Sequence, residues 1–140
     1  MRGTTISAGA LALGANNVLA NTGAVSVAGG IFDISSYNNT VGAVTLSGGS
    51  IEGTTGVLTG TGYTINNSSG NTSISAILAG TGTLTKSGAG TLTLSGTNTY
   101  SGITTISGGI LSIAADANLG TAPGVAVTNS ITFNSGELLT

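Results

Sequence analysis

The most regular feature of the chain is a short alternation of apolar and polar residues that recurs along its length. It is clear in Val25-Ser26-Val27, in Thr83-Leu84-Thr85 and in Thr91-Leu92-Thr93-Leu94. A period of two predicts β-strands, because successive side chains of a strand point to opposite faces. Clusters rich in Gly and Asn separate these stretches, and both residues tolerate the positive φ that sharp turns require. The pattern therefore predicts short strands joined by tight turns.

A longer period is superimposed on this alternation. Gly9, Gly29 and Gly49 are each followed, after one variable residue, by a branched aliphatic residue, and the same phase returns at Gly109. A repeat of about 20 residues indicates a solenoid. Because the repeat has no helix to serve as a crossover, we expect an all-β fold, a right-handed parallel β-helix. The 140 residues correspond to about seven coils of this length.

The apolar phase of the alternation predicts which side chains fill the interior. The residues expected to point inward are Leu11, Ile31, Ile51, Leu84, Leu92, Leu94, Ile106 and Leu111. We expect residues 1–140 to form a single β-helical segment with a protruding loop at 114–124. Within that loop, Ala114 to Gly120 can form one helical turn ended by the glycine, and Ala122-Pro123-Gly124 predicts a break.

The composition narrows the possible functions. Only 4% of the residues are charged, the net charge is -2, and Cys, His and Trp are absent. Thiol or imidazole catalysis, a disulfide framework and a Cys/His zinc site are therefore excluded. A basic surface for nucleic acid is excluded as well. The scarcity of charge suits a solenoid, because a charge repeated in every coil would face its own sign one strand spacing away.

The sequence also lacks targeting and membrane-spanning features. Polar residues or Gly interrupt every apolar stretch before the roughly 20 residues that a transmembrane helix needs. The first residues do not form a secretory signal, so we expect an exported form of this protein to be a fragment or a mature segment.

Four acids are the candidates for acid–base or metal chemistry: Asp33, Glu52, Asp116 and Glu137. Asp33 lies four residues after Gly29, whereas Glu52 lies three residues after Gly49. Alternation then places the two carboxylates on opposite faces, although they are almost one period apart. We therefore expect solvated surface acids, with no catalytic residue, metal site or cofactor.

Lys86 and the aromatic residues are candidates for ligand binding. Lys86 could bind an anionic glycan or a lipid headgroup, but the turn-like residues after it favour an exposed lysine that discourages sideways strand pairing. The aromatic residues are Phe32, Tyr37, Tyr63, Tyr100 and Phe133. They could stack on sugars, but their wide spacing favours a role in capping the core near turns.

Two further motifs have little specificity. Gly80-Thr81-Gly82 is not expected to bind phosphate, because no helix follows it. Asn-x-Ser/Thr sequences begin at Asn38, Asn66, Asn67 and Asn71, and a chain this rich in Asn, Ser and Thr produces them by chance.

One stretch resembles a known family. It runs from Leu84-Thr85-Lys86-Ser87-Gly88-Ala89-Gly90 through Asn98-Thr99-Tyr100-Ser101-Gly102 to Gly109-Ile110-Leu111. These residues resemble the autotransporter-associated β-strand repeat, found in the passenger regions of bacterial type V autotransporters, and the similarity covers residues 78–113. Ile103 stands where that repeat usually has a second glycine. The resemblance implies export to the bacterial surface and a structural or secretion-supporting role, with no catalytic motif or cofactor.

Three functions remain open at this point. The first is a structural, non-enzymatic stalk or passenger segment of a secreted or outer-membrane surface protein. The second is a subunit of an extracellular filament, because the sequence shows no polar cap at either end and open β-helix ends can stack on a second copy or on the continuing parent chain. The third is an adhesin or a polysaccharide-acting enzyme fragment, for which the residues provide no site. The long strands of a membrane barrel are also missing, so we expect a passenger piece only.

Overall fold

The computed structural model describes residues 3–121 and 130–140 and shows a β-solenoid of about six turns with a period of about 20 residues. This confirms the all-β parallel solenoid expected from the sequence. The expected break at Ala122-Pro123-Gly124 lies outside the described residues, and the right-handed sense of the coil stays a prediction.

The strands are short and follow one another with only brief turns between them. In chain order they are β1 (Thr4–Ile6), β2 (Ala10–Ala12), β3 (Val25–Val27), β4 (Ile31–Ser35), β5 (Asn39–Thr40), β6 (Ala43–Leu46), β7 (Ser50–Gly53), β8 (Val57–Thr59), β9 (Gly62–Ile65), β10 (Asn71–Ile74), β11 (Ile77–Ala79), β12 (Leu84–Lys86), β13 (Thr91–Leu94), β14 (Thr104–Ile106), β15 (Ile110–Ile113), β16 (Ile131–Phe133) and β17 (Glu137–Leu139).

Three parallel sheets form the sides of the solenoid. The first sheet has the order β1-β3-β6-β9-β12-β14-β16, and the second has the order β2-β4-β7-β10-β13-β15-β17. A shorter third sheet, β5-β8-β11, closes part of the remaining side. Each long sheet has seven strands, one from each successive level of the described solenoid, so equivalent residues of successive levels form columns along the axis.

The interior is filled by the apolar phase of the alternation. Ile51, Leu84, Leu92, Leu94, Ile106 and Leu111 are buried as expected, and Leu11 is half-buried against the core. Ile31 was predicted to point inward, and this is wrong. The buried residue of β4 is its neighbour Phe32, which is the register partner of both Leu11 and Ile51.

Ile31 was expected inside because the strand was counted from Gly29, which is not the glycine that makes the turn. The glycine with positive φ in the second coil is Gly30 (φ +78°), equivalent to Gly9 (φ +69°) and Gly49 (φ +75°), whereas Gly29 has no positive φ. A Cβ on Gly30 would lie 2.3 Å from the backbone oxygen of Gly9, so the coils can stack here only without a side chain. When residues are counted from Gly30, Phe32 takes the inward position in place of Ile31. Every other residue of the strand then also moves to the opposite face of the sheet.

The segment after β15 forms a single helical turn. Asp116–Leu119 is a 3-10 helix, and Gly120 follows it with φ +88°. Leu119 packs against the core, so this turn takes part in closing the third side of the solenoid.

Candidate functional site

The two acids closest to one another are Asp33 and Glu52. They are direct register partners on β4 and β7, and therefore lie on the same outer face of the second sheet. The prediction that they point to opposite faces is wrong, for the same reason as at Ile31. The Asp33 Oδ1 accepts a hydrogen bond from the Ser35 backbone N–H at 2.7 Å, and the Glu52 Oε1 accepts one from the Ser50 hydroxyl at 2.9 Å.

The other two acids lie away from this pair. Glu137 pairs with Ile110 at the other end of the second sheet, and Asp116 lies in the 3-10 helix. In residues 3–121 and 130–140, no three His, Cys, Asp or Glu residues come close enough to hold a metal ion. Glu52 is exposed and Asp33 is half-buried. The arrangement provides two solvated carboxylates on an open sheet surface.

Lys86 is not the exposed turn lysine that the sequence suggested. It is fully buried, because it occupies an inward position of β12 in register with Ile65 and Ile106. Its Nζ donates hydrogen bonds to the backbone oxygens of Ser87 at 2.6 Å and Gly88 at 2.9 Å, with a longer contact to Gly108 at 3.5 Å. Burial lowers the pKa of the ammonium group, since the charged form loses hydration. Lys86 is therefore not placed to bind an anion at the surface.

The aromatic residues do not form a sugar-stacking surface. Phe32, Tyr63 and Tyr100 are buried, Tyr37 is half-buried against the core, and only Phe133 is largely exposed. The rings of Tyr63 and Tyr100 lie 6.3 Å apart at an interplanar angle of 54°, a tilted arrangement that is favourable for aromatic pairs.

The hydroxyls of the two buried tyrosines are hydrogen-bonded inside the solenoid. The Tyr63 hydroxyl accepts from the Gly60 N–H at 2.8 Å and has the backbone oxygens of Leu58 and Ala79 as acceptors, at 2.8 and 2.5 Å. The Tyr100 hydroxyl is 2.8 Å from the Thr104 Oγ1. Burial is the main cause that raises the pKa of both phenols. Both tyrosines are therefore part of the core, the role that the wide spacing of the aromatic residues favoured.

A set of buried asparagines on the third side was not expected from the sequence. Asn98 accepts from the Leu78 N–H through its Oδ1 at 2.9 Å and donates from its Nδ2 to the Asn118 backbone oxygen at 2.6 Å. Asn118 in turn donates to the Gly96 oxygen at 2.9 Å. Leu78, Asn98 and Asn118 are spaced by one period, which is the signal that would have revealed the column.

The Asn-x-Ser/Thr sequences are divided by the fold. Asn38, Asn66 and Asn71 are exposed, whereas Asn67 is buried in a turn. Gly80-Thr81-Gly82 connects β11 to β12, so a strand follows it and not a helix.

The outer face of the first sheet is a continuous column of hydroxyl side chains. Its members, in register from one end to the other, are Thr5, Ser26, Thr45, Thr64, Thr85, Thr105 and Thr132. Each coil repeats a neutral residue here, as expected where equivalent side chains lie about 4.8 Å apart.

The described residues thus form a solenoid with a packed interior, in which Lys86, Tyr63 and Asn98 form hydrogen bonds to backbone groups. No helix in the ranges 3–121 and 130–140 is long and apolar enough to cross a membrane. The fold defines a parallel β-solenoid, with hydroxyl side chains along the outside of the first sheet and a buried lysine and buried asparagines inside.

Part of the chain is similar to known proteins. Residues 84–113 match the family model of the passenger-associated-transport-repeat. A stretch of 41 residues is 58% identical to the adhesin BmaC autotransporter of Brucella suis biovar 1 (strain 1330). That stretch covers 29% of this chain and 1% of the relative, so the chain spans only a small part of the relative's length. No solved structure gives a match.

The chain therefore contains an autotransporter passenger repeat, which confirms the resemblance found in the sequence. The repeat includes Lys86 and runs from β12 to β15.

Proposed function

We propose that this chain is a structural, non-enzymatic segment of an autotransporter passenger, which spaces or displays other parts of a bacterial surface protein and supports its export. The passenger repeat and the β-solenoid fold support the structural role. We place the protein at the outer-membrane surface or among secreted proteins by analogy with the autotransporter relative.

The observation that carries this proposal is that the buried side chains pack and form hydrogen bonds within and between coils. Apolar columns run along both long sheets, and the buried cation and asparagines bond to backbone groups of their own or adjacent coils. Every coil is thereby stabilised by its neighbours, which is the property that a spacer needs.

A display experiment tests the structural role. The chain is joined to the translocation unit of an autotransporter, with an epitope at its N-terminal end. Leu92→Asp places a charge in the core, whereas Thr93→Asp places the same charge on the exposed face of the same strand. We expect Leu92→Asp to reduce surface epitope and protease resistance several-fold, because a buried unpaired carboxylate opposes folding.

The matched control defines the outcome. Thr93→Asp is expected to be displayed like the parent. Equal display of the two variants, although Leu92→Asp has lost its protease resistance, would show that folding of this segment has no part in export or display.

A second function, a subunit of an extracellular filament, is favoured by the last coil. Phe133 is 53% exposed there, although it is large and apolar and follows Ile106 in the inward column of the first sheet. Such a side chain can be covered by the continuing parent chain or by a second copy.

A further inference from the structure

We propose that Lys86 and the additional residue in the turn after it form a matched pair. In this pair the longer turn directs backbone carbonyls into the solenoid, and the Lys86 ammonium group is the internal donor that those carbonyls require. Lys86 is then a positioning residue for the turn, and its hydrogen-bond donor group serves the interior of the fold.

The column that contains Lys86 shows how unusual its position is. The other members of this inward column of the first sheet are Ile6, Val27, Leu46, Ile65, Ile106 and Phe133. A lysine replaces an aliphatic or aromatic side chain at one level of the stack only. Burying an ammonium group is costly unless its hydrogen bonds are made, so this level must supply acceptors that the others do not.

The acceptors come from the first corner, which we define as the turn between a strand of the first sheet and the next strand of the second sheet. The first corners are residues 7–9, 28–30, 47–49, 66–70, 87–90, 107–109 and 134–136. Five of them have three residues, whereas the corner at 87–90 has four and the corner at 66–70 has five.

The two longer corners are the two that enclose a buried polar donor. In the four-residue corner, the Lys86 Nζ donates to the oxygens of Ser87 and Gly88, 2.6 and 2.9 Å away. Gly88 adopts a positive φ of +74° in this turn, a conformation that favours glycine. The following coil closes over the group, because a Cβ on Gly109 would lie 2.8 Å from the Nζ atom.

Asn67 has the corresponding role in the five-residue corner. It is buried, and its Nδ2 donates to the oxygens of Gly70 at 3.2 Å and Thr91 at 3.3 Å, with a longer contact to Ser69 at 3.5 Å. Its Oδ1 has no hydrogen-bond partner in the described part of the chain. In this corner only the donor end of the Asn67 amide forms hydrogen bonds.

Other coils of this chain show the simpler arrangement, an apolar inward residue followed by a three-residue corner. Written with the last strand residue before them, two three-residue corners read Leu46-Ser47-Gly48-Gly49 and Ile106-Ser107-Gly108-Gly109, and the corner in question reads Lys86-Ser87-Gly88-Ala89-Gly90. Deleting the exposed Ala89 and replacing Lys86 by Ile converts it into the sequence of the next coil. The two changes together should restore an apolar column next to a short corner.

A double-mutant cycle tests the pairing. The variants are Lys86→Ile, deletion of Ala89, and both changes together, each compared with the parent by urea unfolding of the whole chain. We expect each single change to raise the unfolding equilibrium constant about tenfold or more, because one leaves buried carbonyls without a donor and the other leaves the ammonium without its acceptors. The combined variant should unfold at least about tenfold less readily than the product of the single effects predicts.

The control is Thr85→Val, in the same strand but on the outer face, which should leave unfolding nearly unchanged. Single effects that simply multiply in the combined variant would overturn the proposal, as would a Lys86→Ile variant that is more stable than the parent. If neither single variant folds, recovery of a folded chain in the combined variant supports the pairing, and failure of the combined variant to fold overturns it.

Discussion

Burial of three ionisable side chains makes the stability of this protein sensitive to alkaline pH. The pKa of Lys86 is lowered by burial, and the pKa values of Tyr63 and Tyr100 are raised by it. The two shifts act on stability in opposite directions. For the lysine, the unfolded chain binds more protons between the folded pKa and the ordinary value, so stability rises with pH in that window. For the tyrosines, the unfolded phenols ionise first, near pH 10, so stability falls as pH rises above that value.

We therefore expect Lys86→Met to abolish the rise in stability with pH. We expect Tyr63→Phe to reduce the fall in stability above about pH 10. The measurement is the free energy of unfolding in urea at a series of pH values from 7 to about 11. A rise of unchanged size in Lys86→Met would mean that another group is responsible for it.

The acid pair gives a second prediction at this scale. Ca²⁺ usually takes 6–8 oxygen ligands, and Asp33 and Glu52 provide only two carboxylates on an open face. We expect calorimetric titration with calcium to give no stoichiometric micromolar signal, and the Asp33→Asn, Glu52→Gln variant to behave in the same way. A one-to-one micromolar isotherm that disappears in the variant would contradict this.

At the scale of the elements, the third side of the solenoid has few paired strands. Asparagine side chains connect the coils there. The third sheet has only three strands, and beyond it the asparagines bond directly to the backbone of adjacent coils. Asn98 satisfies one N–H and one carbonyl that would otherwise be buried without partners. An amide side chain thus replaces part of the hydrogen bonding of a strand at this corner.

Asn98→Ala is expected to lower the free energy of unfolding by about 2 kcal/mol or more, because it leaves the Leu78 N–H and the Asn118 carbonyl unpaired. Asn66→Ala is the matched control, since Asn66 is exposed, and we expect a change within about 0.5 kcal/mol. Urea unfolding measures both. Equal losses in the two variants would show that the buried amide is not needed at this corner.

At the scale of the whole molecule, the apolar columns continue to the last coil. Leu138 lies in register with Leu111 and is half-buried, while Phe133 follows Ile106 and is 53% exposed. A further coil stacked on this level would gain apolar contacts and backbone hydrogen bonds. Either a parent chain or a second copy can provide that coil.

Leu138→Lys distinguishes the second possibility. An unpaired ammonium in the stacking surface should block assembly, whereas Thr140→Lys, at an exposed position, should not. In sedimentation across a range of concentrations, we expect the parent and Thr140→Lys to associate and Leu138→Lys to remain a monomer. If all three sediment as the same small monomer, end-to-end assembly is wrong and the segment is a self-sufficient stalk module.

The sequence by itself determined the solenoid, its period of about 20 residues and most of its core, since alternation and repeat length depend only on local geometry and stacking. The passenger repeat was also recognisable from its residues. The tertiary structure decided which of two adjacent glycines, Gly29 or Gly30, adopts the positive φ, and with it the faces of Ile31 and Asp33.

Tertiary structure also decided the fate of Lys86. A turn-flanked lysine favours an exposed position when only its neighbours in sequence are considered. Its burial depends on carbonyls that a longer corner turns inward and on Gly109, a residue of the next coil that leaves room for the ammonium group. No local pattern contains that information, because the acceptors and the space exist only once the coils are stacked.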